Sequence, residues 1–128
     1  MDNKKPKILV VEDNLINQAF YKKTLSLRGY EILTADNGRE AITEFITDPE
    51  IGLIFMDVHM PVLDGLETAR SIRSIEEKNG SGRRVPIVAV TAYDIKLEDC
   101  LAAGFNHCIM KPVSSHILDE LLGRFLPD

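Results

Sequence analysis

The sequence predicts an α/β domain in which helices cover both faces of a parallel sheet. Short apolar runs alternate with helix-spaced segments about five times along the chain. Hydrophobic residues make up 45% of the 128 residues and charged ones 27%, which suits a packed core and neither a membrane span nor a disordered tail. Each apolar run also closes on a polar residue, so chemistry collects where strands end. The length is that of one domain, expected to occupy 1–128 with its core from about 7 to 126.

The first strand is read at Lys7-Ile8-Leu9-Val10-Val11, and Glu12-Asp13-Asn14 ends it. Asn14 or Asp13 can cap the next helix, because their side chains accept bonds from its free N–H groups. That helix runs to about Arg28, with Ile16, Phe20, Thr24 and Leu27 at helical spacing and Gly29 as its terminator. A second strand spans Tyr30 to Ala35, and Asp36-Asn37-Gly38 turns the chain. The second helix carries Ala41, Ile42, Phe45 and Ile46 and stops at Asp48-Pro49.

The stretch from Leu53 to Gly65 organises the rest. Leu53-Ile54-Phe55-Met56 reads as a strand buried on both faces, and Asp57 follows where it should end. A carboxylate there is costly unless something pairs with it. Asp64 can cap a third helix bearing Leu66, Ala69, Ile72 and Ile75, which is expected to fray at Glu76-Glu77-Lys78 into a loop through Asn79 to Arg84. Pro86 to Val90 is the fourth strand, followed by Thr91-Ala92-Tyr93-Asp94. A helix from about Ile95 to Ala103 closes at Gly104. His107 to Met110 is the fifth strand, then Lys111-Pro112, and a last helix shows Ile117, Leu118, Leu121, Leu122 and Phe125.

In a parallel sheet every strand ends on one side, where ligands bind. Glu12, Asp13, Asp57, Thr91 and Lys111 therefore share one rim whatever the strand order. Alone, an acid at a strand end is usually a cap or a solvated residue, and a lone Thr or Lys there is ordinary. Five such residues closing four different strands are not. Three close carboxylates repel unless a cation holds them. Mg2+ suits such a set, since it takes oxygen ligands and bridges to phosphate. A carboxylate can also attack phosphorus to form an aspartyl phosphate. That reaction needs charge neutralisation, which a metal, a Lys and a Thr hydroxyl supply.

This set resembles the receiver domains of two-component response regulators, over nearly the whole chain from about Lys7 to Phe125. The matching pieces are Val11-Glu12-Asp13-Asn14, Asp57 within Met56-Asp57-Val58-His59-Met60-Pro61, Asp64-Gly65, Thr91-Ala92 and Lys111-Pro112. The resemblance implies a flavodoxin-like (βα)5 fold with a five-stranded parallel sheet in the order 2-1-3-4-5. It implies Asp57 as phosphoryl acceptor, with Glu12, Asp13, Asp57 and the backbone carbonyl of His59 holding Mg2+. Thr91 and Lys111 would bind phosphoryl oxygens, while His59 and Tyr93 would tune how water reaches the phosphoryl group. Asp13-Asn14-Leu15-Ile16-Asn17 looks like a DNxxN variant common in receivers of hybrid sensor histidine kinases and phosphorelays. A stand-alone single-domain response regulator is the alternative.

The donor implied is a phosphohistidine on a histidine kinase or a histidine phosphotransfer domain. Leu15 is the expected contact for that partner, since it follows the acids and lies off the Ile16–Phe20 stripe. The departure from the family is Cys108, which stands where many members carry an aromatic switch residue. Packing of the strand is its expected role. A Mg2+-dependent phosphatase using Asp57 as transient nucleophile is disfavoured, because His59 stands where such enzymes place a second acid. A pseudo-receiver is disfavoured because the acids, Thr91 and Lys111 are all present. The net charge of −5 argues against nucleic acid as direct ligand. No apolar run is long enough to enter a membrane, and Ile8 to Val11 is too short for a signal peptide. Cys100 and Cys108 have no zinc spacing and are read as free thiols in a cytoplasmic protein. A monomer is expected rather than a dimer.

Overall fold

A computed structural model of the chain describes residues 5–58, 64–80, 82–92 and 96–127. Strand and helix alternate in it: β1 (Lys7–Val11), α1 (Leu15–Ser26), β2 (Ile32–Ala35), α2 (Gly38–Thr47), β3 (Ile51–Asp57), α3 (Gly65–Asn79), β4 (Ile87–Thr91), α4 (Leu97–Ala102), β5 (His107–Met110) and α5 (Ser115–Phe125). All the strand pairs are parallel and the order is β2-β1-β3-β4-β5, as expected.

The strands read as continuous apolar runs because both faces of the sheet are buried. Successive side chains point to opposite faces, so each run divides between two cores. Leu9, Val11, Ile54, Met56, Ile87 and Ala89 meet Ala41, Phe45, Ala69 and Ile72, which puts α2 and α3 on one face. Ile8, Val10, Leu53, Phe55 and Val88 meet Tyr21, Leu25, Leu118, Leu121 and Leu122, which puts α1 and α5 on the other. Asn14 and Asp64 cap α1 and α3 through their side-chain oxygens, as the sequence suggested. Gly104 takes φ +104° after α4, a conformation that would strain any residue with a Cβ.

Four local expectations are corrected. The inward stripe of α1 is Gln18, Tyr21, Thr24 and Leu25. Ile16 and Leu27 are 79% and 76% exposed, so they are not core. The helix is turned this way because the Gln18 amide has two acceptors beneath it, and the Tyr21 ring lies 5.7 Å from that of Phe55. In α2, Ile46 likewise faces outward. β2 starts at Ile32 rather than Tyr30, although Tyr30 is buried. Finally, α3 does not fray at Glu76. It continues to Asn79 and closes on Gly80, whose φ is +64°. Glu76 is buried and paired with Arg73, which holds the last turns down. Among the described residues no helix is long and apolar enough to cross a membrane.

Candidate functional site

Strand register assembles the site. Val11 is level with Met56, so Glu12 leaves β1 beside Asp57. Asp57 is level with Val90, and Val58 N–H donates to the Val90 carbonyl at 3.0 Å. Thr91, the last residue of β4, is level with Met110, and Lys111 N–H donates to the Thr91 carbonyl at 2.8 Å. The five residues chosen from sequence therefore do converge on the carboxyl end of the sheet. His59 and Tyr93, expected at the site, lie outside the described residues.

Asp57 is only 4% exposed, Glu12 3% and Thr91 not at all, whereas Asp13 faces solvent. Carboxylate oxygens of Glu12, Asp13 and Asp57 lie within 4.8 Å of one another. Lys111 Nζ donates to Asp57 Oδ2 at 3.0 Å and stands 4.0 Å from Glu12 Oε1. Burial raises the Glu12 carboxyl above its ordinary range, and the Asp57 charge adds to that. Hydrogen bonds from the Asn14 backbone and the Asn17 side chain oppose the rise. The donor set is all oxygen, carries more negative charge than Lys111 balances, and is half sunk in the core. It fits a small hard divalent cation.

α1 holds Glu12 from one side. Asn14 N–H donates to Glu12 Oε2 at 3.2 Å and Asn17 Nδ2 to Oε1 at 2.9 Å. Gln18 Nε2 donates to the Glu12 main-chain carbonyl and, at 2.7 Å, to Asp36 Oδ1. Tyr21 packs on Phe55, and burial first, then the charges of Glu12 and Asp57, raise its hydroxyl's pKa. Gln18 and Tyr21 were not anticipated. Their signal was a helix stripe with a polar member, which periodicity counts treat as solvent-facing. A cleft of 520 Å³ runs from Glu12 and Lys111 along Ile16, Asn17 and Phe20 to Pro112.

Gly65 sets how closely α3 approaches Asp57. Its N–H donates to the Val58 carbonyl at 3.1 Å, and a Cβ there would lie 2.6 Å from the Asp57 carbonyl oxygen and 2.8 Å from Val58 Cα. Both are backbone atoms and cannot swing away. Gly65→Ala is therefore expected to cost about 1–3 kcal/mol through overpacking. Urea unfolding of the two proteins checks it, and a loss below about 0.5 kcal/mol, the range of ordinary surface changes, would mean the segment gives freely.

Cys108, at the position of the family's aromatic, is half-buried against the core on the α2–α3 side of the sheet. It lies beside Cys100, whose thiol is pushed up to about 12 by burial first and by Cys108 second. Packing of the strand is what the structure gives this residue.

The chain resembles known proteins over this same region. It is 38% identical to a probable histidine kinase of Oryza sativa subsp. indica, a match covering 96% of this chain and 16% of that protein. The chain thus spans about a sixth of that relative's length. Among solved structures it superposes with a TM-score of 0.89 on the Saccharomyces cerevisiae co-crystal of the histidine phosphotransfer protein Ypd1 with the receiver domain of the response regulator Ssk1, at 35% identity, covering 98% of this chain and 91% of that one. It superposes at 0.83 on the receiver domain of a Pseudomonas aeruginosa sensor histidine kinase with magnesium coordinated in its active-site cleft, at 35% identity, covering 97% and 99%. The family model for the response regulator receiver domain matches residues 8–122, every rim residue included, and the chain belongs to that family.

Proposed function

We propose that Asp57 accepts a phosphoryl group from a phosphohistidine and that the chain works as the receiver of a hybrid histidine kinase or phosphorelay. The observation that carries this is the pairing of buried Asp57 with Lys111 at 3.0 Å, inside a ring of two further carboxylates. A carboxylate oxygen of Asp57 bonds to phosphorus as the phosphorus–nitrogen bond of the donor breaks, and the imidazole leaves. Lys111 then passes from the carboxylate to a phosphoryl oxygen, and the Thr91 hydroxyl takes another. Glu12, Asp13 and Asp57 would hold Mg2+, which would supply neutralisation of phosphoryl charge. By the family resemblance the main-chain carbonyl of His59 would add to that set, and His59 and Tyr93 would tune the return of water. The chain assists its own phosphorylation and dephosphorylation rather than turning over a separate substrate.

Residues 1–128 form a single receiver domain in this reading, monomeric and cytoplasmic. The hybrid assignment draws support from the histidine-kinase relative, of which the matched region is a minor part. The partner is a histidine kinase or phosphotransfer domain, and the Ypd1 co-crystal of a similar receiver supports the latter. Leu15 and Ile16, 73% and 79% exposed at the start of α1 beside the acids, form the apolar contact for it.

Intact-protein mass tests the reading. After incubation with Mg2+ and a small acyl phosphate, the chain should gain one phosphoryl group, and EDTA should prevent the gain. If none appears, incubation with a phosphorylated histidine phosphotransfer domain follows. A second failure would end the proposal.

A further inference from the structure

We infer that Asn17 is a positioning residue for the divalent-cation site, holding the Glu12 carboxylate by its side-chain amide and leaving Lys111 to Asp57. The inference rests on the cation reading above and adds a residue to it. Glu12 is buried, and its two carboxylate oxygens have different partners. Oε2 accepts from the Asn14 backbone, which any residue at position 14 except proline would supply. Oε1 accepts from Asn17 Nδ2 at 2.9 Å, which depends on the side chain. The same Oε1 lies 4.0 Å from Lys111 Nζ, while that ammonium sits 3.0 Å from Asp57 Oδ2.

Lys111 therefore stands between two buried carboxylates, and Asn17 occupies the competing oxygen of one of them. Without the amide, Glu12 Oε1 loses its nearest donor, and a buried acceptor left so draws whatever cation is in reach. Lys111 is that cation. A shift of Nζ toward Glu12 would block one cation ligand and uncover the other. Gln18 cannot substitute, because its amide is already held by the Glu12 main-chain carbonyl and Asp36 Oδ1. Asn17 also lines the same cleft as Ile16, so the group that orients the acid is one residue from the exposed apolar pair of α1.

The probe is Mn2+, a paramagnetic stand-in for Mg2+, titrated into the metal-free chain while the signal of the free ion is followed by electron paramagnetic resonance. Partners that orient metal ligands change affinity by about 10–100-fold when removed. Asn17→Ala is expected to weaken Mn2+ binding about tenfold, at the lower end of that range. Its metal-free melting curve should shift little, since the helix propensity that alanine adds and the approach of Lys111 to Glu12 offset the lost hydrogen bond. The decisive comparison is made in a Glu12→Gln background. There Asn17→Ala should change Mn2+ affinity by less than about twofold, because the carboxylate it orients is gone. Equal losses in both backgrounds, or no loss in either, would overturn the inference while leaving the cation site standing. Absence of Mn2+ binding by the unaltered chain would overturn the cation reading and this inference with it. Should the alanine variant melt early, Asn17→Ser, whose hydroxyl is too short to reach Oε1, repeats the comparison with the same expected losses.

Discussion

Asp57→Asn is expected to take up no phosphoryl group from either a small acyl phosphate or a phosphohistidine donor. An amide oxygen carries no charge and is a poor nucleophile, so the substitution removes the reacting atom's character while keeping its shape. The fold should survive. Asp57 attracts Lys111 at 3.0 Å and repels Glu12 and Asp13 within 4.8 Å, so neutralising it removes a gain and a cost together. The two proteins should melt close together in EDTA. With a divalent cation at ten times its dissociation constant, the unaltered chain should gain about 1.4 kcal/mol by linkage and the variant less. A mass gain in Asp57→Asn equal to that of the unaltered chain would move the acceptor elsewhere. Asp13, the exposed acid of the same rim, is where it would then be sought.

The rim was legible because two simple regularities coincide in it. Parallel strands finish on one side, and each of these strands finishes where an apolar run meets a polar residue. Glu12, Asp57, Thr91 and Lys111 could thus be grouped without knowing which strands are neighbours. The order of the strands is another matter. Nothing in the apolar runs themselves distinguishes 2-1-3-4-5 from other doubly wound orders, and only the family resemblance supplied it. What sequence reading missed lies on the helices. A polar residue at an inward position looks like a break in the stripe, so the apolar spacing points to Ile16 as core and away from Gln18. The reason for Gln18 to face inward is a pair of acceptors, one just past β1 and one in the β2–α2 turn, visible only after folding. The same holds at the far end of the sheet, where charge on a helix concealed a buried cluster.

That cluster carries the largest expected loss of stability. Arg73 looks like an ordinary exposed helix residue in sequence, three before Glu76. In the structure it is 8% exposed and ties three elements together. Its Nε donates to the Gly104 carbonyl at 2.9 Å, Nη1 to Glu76 Oε1 at 2.8 Å and the Val85 carbonyl at 2.7 Å, and Nη2 to Asn106 Oδ1 at 2.7 Å. Glu76 Oε2 in turn accepts from Val85 N–H at 2.7 Å, and Asn106 Oδ1 from Ile87 N–H at 2.9 Å. The guanidinium thus joins α3 to the start of β4 and to the turn between α4 and β5. Burial lowers the Arg73 pKa, and Glu76 opposes the change, as expected of a charge kept in the core by its partner.

Arg73→Ala should cost about 3–5 kcal/mol, since it strands the Glu76 carboxylate in the interior. Arg73→Lys keeps the charge without the planar fork, and should recover only part of that loss. The double change Arg73→Met with Glu76→Leu separates charge from packing. Replacing both partners by apolar groups should recover the part of the loss due to the stranded charge, but not the part due to the Val85 N–H and the Val85 and Gly104 carbonyls, which still lose their partners. Equilibrium unfolding in urea measures all three. A cost below about 1 kcal/mol for Arg73→Ala would show that water reaches Glu76 freely, and the buried clamp would then not hold α3 to the sheet.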